Sequence, residues 1–176
     1  MNNFRSNDRG RPSGGHGQRG GGPSWNSANK ADGENHGPSR ELLNLLEKVN
    51  LAKPSADMFD GVAERIAKEL SSDGRSKNKS AQVRKFYDEI VRYSDRHRGT
   101  AQPDEDKILF ERDLPFIRMI CARAAYAKTR EHVDGNFVAF MQDGVRKIKT
   151  AEDLHRFRDL FEAVIGFSPK SQSHGG

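Results

Sequence analysis

A chain of 176 residues, 34% hydrophobic and 31% charged, has room for one domain of ordinary size with a modest core and a large solvated surface. Its net charge of +5 favours an acidic partner such as nucleic acid. The single cysteine, Cys121, excludes an intrachain disulfide or a cysteine-built zinc site, and no hydrophobic run approaches the roughly 18 residues that span a bilayer.

Residues 1–39 are rich in Gly, Ser, Asn, Pro and Arg, as in Arg9-Gly10-Arg11-Pro12 and Arg19-Gly20-Gly21-Gly22. Too little apolar surface is present to offset the entropy of ordering, which predicts a disordered arm. Such an arm is either a solubilising tail or an Arg-Gly segment touching RNA without sequence preference, with Trp25 available to stack on a base. Met1–Arg5 has no signal-peptide core, so the expected compartment is the cytoplasm, where the sequon Asn78-Lys79-Ser80 is idle.

From residue 40 onward the periodicity is helical, with no alternating strand pattern. Arg40–Asn50 places Leu42, Leu45, Leu46 and Val49 on one side of a short helix. Ser55 is the expected N-cap of a second, with Phe59, Val62, Ile66 and Leu70 as its stripe. Ser71–Lys79 reads as a polar loop. A third helix runs over about Ser80–His97, ended by Arg98-Gly99-Thr100. Pro103 and the acids after it start a fourth, which Pro115 either kinks or splits. His132–Gly135 is a turn, Asn136–Lys149 a further helix, and Thr150 with Asp153 a capping box opening the last one. The expected fold is all-α: a compact bundle of five to six helices over residues 40–167, with a flexible tail over 168–176.

Catalytic chemistry is not visible. His16, His36, His97, His132, His155 and His174 are not spaced for a shared metal. The acids Asp104, Asp106, Glu111 and Asp113 suit a helix start better than a cation site. There is no phosphate-binding glycine loop and no serine at a nucleophile elbow, so no enzyme, cofactor or metal is predicted.

Cationic surface is the better-marked feature. On the third helix Lys85, Arg92 and Arg96 share the side opposite Val83, Phe86, Tyr87 and Ile90, with Glu89 among them. Arg84 precedes Asp88 by four residues, the spacing of an intrahelical ion pair. On the fourth helix Met119, Arg123, Tyr126 and Arg130 lie close together around the axis, flanked by Arg118 and Lys128. Arginines seven apart with a tyrosine between them offer a phosphate clamp and a flat aromatic surface. Each cation read singly is equally a solvated surface charge.

Three segments carry a resemblance. Ser80–Ile90, with its run Gln82-Val83-Arg84-Lys85-Phe86-Tyr87-Asp88-Glu89, resembles a signature of the small subunit of type III-A CRISPR effector complexes, the Csm complexes. Leu114-Pro115-Phe116-Ile117-Arg118-Met119-Ile120 through Tyr126, followed by Arg130, and Phe157–Phe167 resemble two further segments of that family in the same order. Cys121 and Arg123 stand where Leu and Lys are common there, and residues before about 75 carry none of the resemblance.

The resemblance implies an all-α, non-catalytic protein present in several copies. Those copies would stack head to tail along guide RNA and its complementary target RNA, beside the other Csm subunits, in antiviral defence. Base pairing would supply sequence recognition while the protein grips backbone and shape. The expected RNA contacts are Gln82, Arg84, Lys85, Arg92, Arg118, Arg123, Lys128 and Arg130, with Tyr126 either stacking or supporting the clamp. Two other readings stand beside this one: a helical adaptor that binds only protein, and a helical DNA-binding regulator, which needs a recognition helix and usually a two-fold dimer.

Overall fold

The computed structural model describes residues 37–71, 77–99 and 103–169. The arm expected over 1–39 therefore lies outside the described residues except for its last three, and so does most of the expected tail. Among the described residues the secondary structure is helical throughout: α1 (Arg40–Lys48), α2 (Ala56–Phe59), α3 (Gly61–Ser71), α4 (Ser80–Arg96), α5 (Pro103–Thr129), α6 (Gly135–Lys147) and α7 (Ala151–Phe167). Six of these exceed a single turn, in agreement with the bundle read from the periodicity.

Local signals account for most of the boundaries. Ser55 caps α2, its hydroxyl accepting from the Met58 N–H at 3.3 Å, and Thr150 and Asp153 form the capping box that opens α7. Asp134 caps α6, so that helix starts at Gly135, one residue earlier than the apolar pattern suggested. One element differs from expectation, and one of two expected alternatives is excluded. The second predicted helix breaks at Asp60, whose backbone leaves helical geometry (φ −119°, ψ −96°) between α2 and α3. Of the kink or split expected at Pro115, the split is excluded: α5 runs 27 residues through it. That proline lies on the exposed side of α5, as does Glu111, whose carbonyl it deprives of a helical donor.

α7 is packed against α2, α3, α4 and α6, while α5 lies along α6 and touches α4. Phe137 and Phe140 of α6 meet Phe157 and Phe161 of α7 in the core, all fully buried, with Phe140 and Phe161 edge to face at 5.2 Å. Phe86 brings α4 onto the same cluster, 5.2 Å from Phe137. α1 joins through Leu42 and Leu45, both fully buried.

Ser39, placed with the arm by composition, belongs to the bundle. Its hydroxyl accepts from the Leu42 N–H at 3.0 Å and donates to Glu69, while its own N–H donates to Asn136 at 2.7 Å. Asn78 plays a similar part. Its side chain donates to the Leu70 carbonyl and accepts from the Asp134 N–H, tying the end of α3 to the α5–α6 turn. It does so from a left-handed backbone (φ +53°), which asparagine tolerates better than most residues.

Candidate nucleic-acid interface

The core stripe of α4 turns its opposite side, with Lys85, Asp88, Glu89 and Arg92, toward the outer wall of α5. Those four residues and Arg123 line an open groove between the two helices. Glu89 is the pivot. Its side chain is only 13% exposed, it forms an ion pair with Arg123, and Arg92 stands 3.7 Å from the same oxygen. One carboxylate facing two guanidinium groups neutralises only one of them. Lys85 is exposed on the same wall and has no anionic partner among the described residues. The groove therefore keeps a positive balance despite its two acids.

The strip continues along α5 beyond Arg123. Tyr126 is 64% exposed, settling its placement as a surface ring, and Arg130 is exposed one turn later without an ion-pair partner among the described residues. Tyr87 differs. Its ring packs edge-on against Phe161 at 5.6 Å, and burial, with a hydrogen bond to Glu162, pushes its hydroxyl pKa up.

Other expected contacts are arranged differently. Arg84 is exposed but lies about 100° round the helix from Lys85, outside the groove, and makes no ion pair with Asp88. Gln82 is half-buried in the first turn of α4. Lys128 is half-buried about 200° round α5 from Tyr126 and so is not part of the strip. Arg118 was expected at RNA, but its guanidinium donates to the Val145 carbonyl at 2.5 Å and the Ile148 carbonyl at 2.8 Å. The last carbonyls of a helix have no donor within it, and Arg118 supplies one to the end of α6. Arg96, read as part of the ridge, reaches instead to Asp113 at 2.9 Å.

That last contact belongs to a buried polar cluster joining α4, α5 and α7. Asp113, 3% exposed, faces His97 Nε2 at 3.3 Å as well as Arg96. Burial is the main cause lowering the His97 pKa below 6.5, opposed in part by Asp113. Ser94 Oγ lies 2.7 Å from His155 Nδ1, and His155 Nε2 lies 2.8 Å from the His97 carbonyl. The carbonyl can only accept, so Nε2 carries the proton and the serine hydroxyl donates to Nδ1. Ser94 is fully buried, so this pair braces the helices rather than meeting a substrate. Among the described residues no group of three His, Cys, Asp or Glu side chains is placed to hold a metal ion, and no helix is long and apolar enough to cross a membrane.

Glu89 and Asp113 escaped the sequence reading as organising residues. Glu89 was visible as an acid within a basic ridge, which was the available signal. Asp113 was indistinguishable from its neighbouring acids.

A family model described as Csm2 Type III-A matches residues 53–171, more than half the chain and every residue of the groove. Comparison with the curated proteins gave no match, and comparison with solved structures gave none either.

Proposed function

The chain belongs to the Csm2 Type III-A family and is thus a small Csm subunit of a type III-A CRISPR complex; from that premise we propose that it grips RNA through the α4–α5 groove. It works without catalysis, in the cytoplasm, in several copies stacked along the guide RNA and its complementary target in antiviral defence. Other Csm subunits supply the chemistry. The observation that carries this reading is the pair of guanidinium groups, Arg92 and Arg123, on the single carboxylate of Glu89, with exposed Lys85 beside them and Tyr126 and Arg130 continuing the strip. Cations fixed by an internal acid keep their position before RNA arrives, and the surplus charge is left for phosphate. Arginine and lysine on a helix wall neutralise backbone, which bears no sequence information, and pairing between the RNA strands does the reading. Arg118 is omitted from the contact set because both of its bonded donors serve α6.

The test is charge reversal at Arg123 and Arg130 together in the reconstituted complex, measuring retained guide RNA and target affinity. Binding falls about tenfold or more while the circular dichroism stays helical, since each lost phosphate pair weakens binding separately. Unchanged retention by this variant favours the protein-only adaptor, a reading to which the exposed apolar side chains of α5 also lend weight.

A further inference from the structure

The starts of α1, α4 and α6 and the ends of α3 and α5 meet at one end of the bundle, where two side chains bind them. Ser39, just before α1, donates its N–H to Asn136 of α6 and its hydroxyl to Glu69 of α3. Asn78, just before α4, bonds neighbouring residues of the same two segments, Leu70 and Asp134. Its backbone N–H donates to the His132 carbonyl, in the turn after α5, at 3.1 Å. The residues beside these anchors are gathered together as a result. Arg40 follows Ser39, Lys79 follows Asn78, and Arg130 lies two places before His132. All three are exposed, and none has an ion-pair partner among the described residues. Glu131 is an exposed acid in the same turn, which leaves positive charge in excess.

This is also where the α4–α5 groove opens. Glu89 pairs with Arg123 and Arg96 with Asp113, so the two helices run antiparallel and the start of α4 lies beside the end of α5. From Arg92 and Arg123 the groove leads past Lys85 and Tyr126 toward Lys79 and Arg130. The far end of α5 has the opposite sign, with Asp104 and Glu105 exposed in its first turn. A polyanion in the groove is repelled from that end and drawn to this one. Residues 1–36 join the bundle here, through Ser39, and they carry Arg5, Arg9, Arg11, Arg19 and Lys30 against Asp8, Asp32 and Glu34. We infer that an RNA strand leaving the groove crosses this end over Arg40 and Lys79, and that the Arg-Gly segment rooted beside them holds the same strand. The inference rests on the groove being the RNA site. What it adds is a second surface and the direction in which the strand leaves. Ser39 and α1 fix the point from which the added cations start, and they precede the residues that match the family model. The contacts are to phosphate, so the base sequence of the strand plays no part in them.

Target-RNA affinity of the reconstituted complex, titrated with salt, tests it. Arg40→Glu combined with Lys79→Glu lowers affinity about tenfold and makes the slope of log K against log salt shallower by about 1.4, the loss of two single-strand phosphates. Circular dichroism stays helical, since both side chains are exposed and unpaired. Deleting residues 1–36 costs about fivefold in the parent and less than about twofold in the reversed pair, where the strand no longer passes the root of the segment. Parental binding by the reversed pair, while reversal of Arg123 and Arg130 still weakens it, overturns the inference and leaves the groove intact. Insensitivity to all four reversals removes the groove as well. A deletion that costs the same in both backgrounds, or nothing in either, shows that the segment and this end do not share a strand, and overturns the inference too.

Discussion

Glu89, Arg118 and His97 show how far a side chain's neighbours determine its part. Glu89 is an acid on a basic ridge, yet it anchors the arginine of the facing helix. Arg118 looks like any surface cation beside Arg123, but it closes the end of α6. His97 is held neutral by burial, within reach of Asp113, Arg96 and His155. Because its folded pKa lies below 6.5, the unfolded chain takes up the proton first as pH falls. Stability is therefore full above about 6.5 and is lost progressively below it. Thermal melts between about pH 7.5 and 5.5 are expected to show this decline. His97→Gln, which cannot titrate, flattens the decline; an unaltered slope in that variant shows that another group controls it.

Helix positions were legible because each depends on residues a few places apart. The N-caps Ser55 and Thr150, the apolar stripes and the charged first turn of α5 are local signals, and the helices begin near them. The break at Asp60 was not legible, and at Pro115 the choice between a kink and a split stayed open, since both depend on which side of the helix meets solvent or core. Gly144 is a further case. Within α6 it looks like a weak helix residue, but a Cβ there would overlap the Phe157 ring. The missing side chain is what lets α6 and α7 close on their shared aromatics. Gly144→Ala, favourable by helix propensity alone, is expected to destabilise the bundle by about 1–3 kcal/mol through overpacking. Urea unfolding measures this, and a gain in midpoint shows that the two helices move apart freely.

At the scale of the molecule, the groove exists because α4 and α5 present their polar walls to each other while their apolar stripes turn inward. A surface that grips phosphate by charge must weaken with salt. If about four phosphates are neutralised per copy, the slope of log K against log salt is near −3. A flat dependence in a titration of the assembled complex contradicts an electrostatic grip.

Amphipathic period, capping residues and three ordered segments were enough to imply an all-helical bundle and its family, because helix formation and motif order are written in near neighbours. Which cations remain free was another matter. Lys85 and Arg130 stay exposed, Arg92 and Arg123 share Glu89, and Arg96 and Arg118 turn to partners 17 to 30 positions away. An ion pair or a carbonyl cap forms only once distant helices are brought together, so packing alone divides the arginines that brace the bundle from those left to meet an anion.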